Sequence, residues 1–194
     1  VELDDGMTLL MHLGMSGSFR IEAPEGARDT SSYYHARTRL AAHDHVVFDM
    51  SDGLRIVYND PRRFGFMDLL PRAELGESSY FRELGVEPLG NSFDARVLAR
   101  LLAGKRAPLK AALMDQRLIA GLGNIYACEA MWRARISPLR QAGELVRANG
   151  APTVRAAALA QAIRDVLGDA VAAGGSSLRD HARTDGTLGE FQHR

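Results

Sequence analysis

The spacing of apolar residues changes once along this chain, near Leu75, and that change divides what its two parts can fold into. Before it, short runs at 7–13, 18–22, 46–50 and 54–58 are separated by turn residues, the pattern of β-strands. Leu54, Ile56 and Tyr58 alternate with Arg55, Val57 and Asn59, a period of two that leaves a partly polar outer face. Ser51-Asp52-Gly53 predicts a hairpin between the third and fourth runs. The stretch 23–42, rich in Gly, Pro, Ser, Thr and charge, reads as a long exposed loop.

Beyond Leu75 the period is helical. Ser92 is placed to cap a helix whose apolar side carries Val97, Leu98, Leu101 and Leu102, closed by Gly104. Pro108 suits the first position of a short helix through Met114. A longer helix follows Pro152, with Leu159, Ile163, Val166, Leu167 and Ala170 in a stripe and Gly174-Gly175 at its end. The expected fold class is therefore α+β: a β-rich domain over 1–72 and a helical domain over 73–194.

Composition narrows the function classes without choosing among them. No apolar run approaches the ~20 residues needed to cross a bilayer as a helix. The single cysteine, Cys128, forms neither an internal disulfide nor a multi-cysteine zinc site and suits a cytoplasmic protein. Formal net charge is zero and the pI about 7.2, so no global field points to nucleic acid. Among the 24 basic residues only Lys105 and Lys110 are lysine; arginine suits bidentate phosphate contacts, and a GC-rich genome yields the same bias.

Four segments place Gly, Arg, Asn and apolar residues in turns where packing does not require them. In His12-Leu13-Gly14-Met15-Ser16-Gly17 a bulky flexible side chain sits on a tight turn, either a wedge for a base stack or a core methionine at a strand end. Asn59-Asp60-Pro61-Arg62-Arg63-Phe64-Gly65 follows a strand and offers cations and an aromatic ring for entering DNA, or a solvated turn with a buried Phe. In the region 105–129, Gly121-Leu122-Gly123 leads into a helix with Asn124 and backbone N–H groups at its N-terminus, an anion site or simply an interhelical turn. Gly174-Gly175-Ser176-Ser177-Leu178-Arg179-Asp180 is a hydroxyl-rich loop. His12, His43 and His45 raise the question of a metal; His43 and His45 would share a strand face, where hydrogen bonding is the commoner role and no metal site is expected.

Taken in order with His43-Asp44-His45 and Leu113-Met114-Asp115-Gln116, these segments resemble the formamidopyrimidine-DNA glycosylases nearly end to end. The resemblance implies a β-sandwich domain, here partial, followed by a helical domain with a helix-two-turn-helix motif. It implies base-excision repair of oxidised purines in duplex DNA, by a glycosylase that is also an AP lyase and acts as a monomer. Met15, Arg62 and Phe64 match the trio that fills the gap left by an everted nucleotide. His43, Arg62 and Lys105 match positions that contact DNA, and Lys110 and Asn124 match the phosphate clamp. Ser176, Ser177, Leu178 and Arg179 fall in the loop that closes over extruded 8-oxoguanine.

The family's amino-terminal Pro-Glu and a catalytic Lys have no counterpart in these residues, and neither does its four-cysteine zinc finger. The chain is thus expected to be an internal fragment without catalytic residues or cofactor, binding DNA but inactive, with zinc belonging to the complete protein. The stretch 23–42 is longer than in compact members, and Ala42 precedes His43 where a Lys is common. Two other readings are a non-catalytic helix-two-turn-helix nucleic-acid-binding module, for which a void-filling trio has no use, and the endonuclease VIII branch, which fits less well around Met15 and Arg62.

Overall fold

The computed structural model describes residues 1–23 and 41–173. Most of the expected loop 23–42, the Gly174-Gly175 stop and the segment Ser176, Ser177, Leu178 and Arg179 lie outside the described residues. Two compact units divide the chain, the first reaching Leu75 and the second running over Gly76–Ala172.

Among the described residues the first unit has five strands. Strand β1 (Met7–His12) pairs antiparallel with β5 (Phe66–Pro71), from Met7 opposite Pro71 to His12 opposite Phe66. A three-stranded antiparallel sheet runs in the order β2 (Ser18–Glu22), β4 (Arg55–Asn59), β3 (Asp44–Asp49). The turn at 51–53 joins β3 to β4: Gly53 adopts φ 85°, its N–H donates to Met50 O at 3.0 Å, and Leu54 N–H donates to Asp52 Oδ1. A positive φ at that position is the reason a glycine is needed. Residues 1–3 run back along β1, with Leu9 N–H donating to Val1 O.

One expectation for β4 is corrected. Val57 and Asn59, placed on its outer face by the alternation, are as buried as Tyr58. As the middle strand β4 is flanked by both neighbours, and glycines from two turns press on Tyr58 at its end: a side chain at Gly17 or Gly65 would strike the Tyr58 hydroxyl. Sequence reading also missed β5, whose burial does not alternate.

The second unit is helical. Helix α1 (Ala95–Leu102) is capped by Asp94, whose Oδ1 accepts from Val97 N–H at 2.8 Å, rather than by Ser92. Phe93 and Leu98 flank that cap and are both buried, the N′ and N4 positions of a hydrophobic staple. Pro108 stands one residue before α2 (Leu109–Met114), and Gly123 caps α3 (Asn124–Arg133). The long α4 (Val154–Ala172) starts where Thr153 Oγ1 accepts from Ala156 N–H, and buries Leu159, Ile163, Val166 and Ala170. These side chains join Leu98, Leu102, Leu109, Leu113, Ile119, Leu122 and Leu145 in a core whose members are at most 4% exposed. Arg164 reaches from α4 to accepting carbonyls of Pro88 and Gly90, closing the open end of the segment before α1.

Candidate functional site

In the first unit the Met15 turn and the loop after β4 touch through their backbones. Gly17 N–H donates to Leu13 O, which throws Met15 to the tip of the turn with 55% of its surface exposed. Gly14 adopts φ 63° and passes so close to the second loop that a Cβ there would lie 2.7 Å from the Phe64 carbonyl carbon. That approach, with the left-handed backbone, requires glycine. On the second loop Phe64 is 57% exposed, and the Arg62 guanidinium sits 4.7 Å from its ring centroid. Arg63 between them takes φ 56°, a left-handed backbone that residues other than glycine seldom adopt. Phe64 is therefore not the buried ring of a solvated turn, and Met15 is not a core methionine.

Asp60 organises both loops from below. It is 1% exposed, and four donors converge on its carboxylate: Ser16 Oγ at 2.6 Å and Arg62 N–H at 3.3 Å on Oδ1, Gly65 N–H at 2.9 Å and the Tyr58 hydroxyl at 3.2 Å on Oδ2. Burial pushes this carboxyl up, but the hydrogen bonds from Ser16, Gly65, Tyr58 and Arg62 together outweigh it and hold the group at about 2. Burial, reinforced by the adjacent Asp60 charge, pushes the Tyr58 phenol up to about 12.

The backbone of Asp60 extends the same connection to β3. Its N–H donates to His43 O at 3.0 Å, and its carbonyl accepts from His45 Nε2 at 2.9 Å. His43 and His45 do not share a strand face: His43 ends a 3-10 turn at Ala41–His43, and the ladder shifts register between Asp44 and Val46. A bulge there re-aims His45 toward Asp60. His12 lies apart from both, its ring 5.4 Å from that of Phe66. Among the described residues, no group of three or more His, Cys, Asp or Glu side chains could hold a metal ion. Next to His43, Asp44 receives two bonds of 2.6 Å from the Arg20 guanidinium and one of 2.7 Å from the Asn59 amide. The Arg20 bonds, opposed by burial, hold Asp44 at about 2, and they tie β2 to β3 across β4.

In the second unit the chain between α2 and α3 makes two tight turns. Leu118 and Ile119 N–H groups fold back on Asp115 O, and Gly121 (φ 77°) begins the second turn. Gln116 staples the two: its Nε2 donates to Leu122 O and Met114 O, and its Oε1 accepts from Gly121 N–H at 2.8 Å. Val86 runs beside Ile119, with Ala120 N–H donating to Val86 O. The turns end on Gly123, so α3 opens with Asn124 exposed in its first turn, and Cys128 Sγ lies 3.8 Å from Asn124 Oδ1. Lys110 sits half-buried on α2, and Lys105 half-buried in the turn after α1.

Met15, Arg62, Phe64 and His43 thus meet around Asp60, while Lys105, Lys110 and Asn124 belong to the second unit. Sequence reading missed Asp60, Ser16 and Tyr58 as the frame of the first group and Gln116 as the frame of the turns. An Asp directly before Pro61 was the one local signal; Gln116 left none, because its partners are backbone groups.

Two family models match this arrangement: the formamidopyrimidine-DNA glycosylase N-terminal domain over residues 1–67, and the formamidopyrimidine-DNA glycosylase H2TH domain over residues 84–182. The chain thus carries a glycosylase N-terminal domain and a helix-two-turn-helix domain of that kind. It is 58% identical over 192 residues to the formamidopyrimidine-DNA glycosylase of Rhodopseudomonas palustris (strain BisB5), covering 99% of this chain and 66% of that protein. The MutM (Fpg) crystal structure from Thermus thermophilus superposes with a TM-score of 0.77 at 37% identity, over 98% of this chain and 63% of the other. MutM in complex with DNA containing carbocyclic 8-oxo-G gives a TM-score of 0.75 at 29% identity, over 96% and 61%. The chain belongs to the formamidopyrimidine-DNA glycosylase family, and it spans about two thirds of the length of the relatives it matches.

Proposed function

We propose that this chain is the lesion-probing and DNA-holding part of a base-excision repair glycosylase and AP lyase that removes oxidised purines, 8-oxoguanine and formamidopyrimidines, from duplex DNA. The observation that carries this reading is the joint display of Met15, Arg62 and Phe64, exposed side chains on loops braced by one buried carboxylate. A damaged base must leave the stack before it is cut, at a cost of a few kcal/mol, and something must occupy the gap. Phe64 supplies an aromatic face for stacking, Arg62 a cation for the orphaned partner base, and Met15 a flexible apolar wedge. His43 and Lys105 make further DNA contacts. Lys110 and Asn124 grip a phosphate, where the N-terminus of α3 turns backbone N–H groups outward. Ser176, Ser177, Leu178 and Arg179 close over the extruded base.

In the complete protein a secondary amine attacks the sugar and forms an iminium, whose electron-sink character drives β,δ-elimination. Residues 1–194 have a single cysteine, Cys128, so a four-cysteine zinc site cannot be made from these residues alone. The protein works in the cytoplasm as a monomer. Its described helices include none long and apolar enough to cross a membrane.

Binding to duplexes with and without 8-oxoguanine tests this reading in the full-length protein. Phe64→Ala should weaken lesion-duplex binding by about 1–3 kcal/mol, the worth of one base–aromatic stack, and single-strand binding far less. Unchanged lesion binding would falsify the wedge role. Residues 1–194 alone should bind DNA but give no borohydride-trapped adduct; an adduct would mean that the nucleophile lies among them.

A further inference from the structure

We propose that Asp60 is a positioning residue for lesion recognition: its buried carboxylate couples the Met15 turn to the Arg62–Phe64 loop, so that the three probing side chains enter the duplex as one body. The inference rests on the wedge reading above and adds the group through which the wedge is held.

Asp60 itself reaches no surface, being 1% exposed, so it acts through others. Its Oδ1 takes the Ser16 hydroxyl from the residue after Met15, and its Oδ2 takes the N–H of Gly65, the residue after Phe64. Arg62 N–H lies 3.3 Å from both Asp60 Oδ1 and Ser16 Oγ, so one triangle of bonds contains residues of both loops. Tyr58, on the central strand, anchors the far oxygen. Two separate surface loops would each be free to shift by an ångström, and a probe misplaced by that much no longer meets the gap it fills. Every donor in the cluster requires an acceptor. An ionised carboxylate offers two accepting oxygens, whereas an amide offers one and turns an NH2 group on its neighbours. Asparagine keeps the size of Asp60 but sets donor against donor, at Gly65 N–H or at Arg62 N–H.

A merely structural Asp60 and a positioning Asp60 differ in what they couple to. The test uses the full-length protein, a duplex with one 8-oxoguanine opposite cytosine, and its undamaged counterpart. Asp60→Asn should lower affinity for the lesion duplex about tenfold, near the loss from Phe64→Ala, and leave affinity for the undamaged duplex within about twofold. In a Phe64→Ala background the same substitution should cost clearly less than it does in the wild type, because one of the three probes it positions is gone. Ser16→Ala, which removes the bond to Asp60 and the one accepted from Arg62 N–H but keeps the carboxylate, should show the same dependence on Phe64 and carries the test if Asp60→Asn melts below the assay temperature. Losses that add fully to that of Phe64→Ala, or that fall equally on undamaged duplex, overturn the proposal and leave the wedge reading standing. A Phe64→Ala protein with unchanged lesion binding overturns the wedge reading, and the positioning role with it.

Discussion

Asp60 is the residue whose ionisation most directly reports the integrity of the two loops. Its ordinary value of 3.8 falls to about 2 in the folded protein. A depressed carboxyl contributes stability that is fully present above about pH 4 and is lost as pH falls through 2, and a shift of this size is worth on the order of 2 kcal/mol. Asp60→Asn should therefore be less stable than wild type at pH 6, with the difference shrinking as pH falls from 4 to 2. Urea-unfolding midpoints of the two proteins across that range are the measurement, and a gap independent of pH would mean that the charge of Asp60 is not what the cluster needs. Phe64 stands at the other extreme of burial. With its ring exposed under Arg62, Phe64→Ala should change stability by no more than about 0.5 kcal/mol, so its effect on DNA cannot be traced to unfolding.

Among the elements, α1 and the double turn have the sharpest expectations. Asp94, not Ser92, caps α1, so Asp94→Ala should cost about 1 kcal/mol and Ser92→Ala nearly nothing in thermal unfolding. The reverse order would put the helix start two residues earlier. At the junction of α2 and α3, Lys110 and Gln116 should fail in different ways. Lys110→Ala removes one phosphate contact, so affinity should fall alike on all sequences and the slope of log affinity against log salt should shrink by about one. Gln116→Ala removes the staple between the turns without removing a charge; affinity should fall while the slope stays. Equal slopes for wild type and Lys110→Ala would remove Lys110 from the phosphate clamp.

For the whole molecule, apolar burial is divided unevenly. Among the described residues, Val57 and Tyr58 are the buried apolar side chains of the first unit, whereas the second buries a continuous set from Phe93 to Ala170. The first unit also leaves Val47, Met50, Phe66 and Leu69 substantially exposed. A two-stranded pairing such as β1–β5 is marginal without a covering layer. Amides of β1 and β5 should accordingly exchange with solvent well before those of α4, because local opening is least costly where few apolar contacts must break. Equal protection of both in residues 1–194 would mean that the first unit has more internal support than its burial implies.

What the chain's own order of residues determined was local. The change of period near Leu75 marked where strands give way to helices, and Ser51-Asp52-Gly53 marked the β3–β4 hairpin, because both depend on neighbours a few residues apart. The Gly14-Met15 turn and the Arg62–Phe64 loop were legible as displays of side chains, although whether Phe64 faced solvent or core was not. Tertiary structure decided the rest. Val57 and Asn59 became buried where β4 took the middle of its sheet, between β2 and β3. Ser16 and Asp60 are 44 residues apart, and they meet because β2 pairs with β4 and brings the two loops to one end of the sheet. A hydrogen bond made through strand pairing has no spacing of its own in the sequence, which is why the exposed probes could be read there and the buried carboxylate that holds them could not.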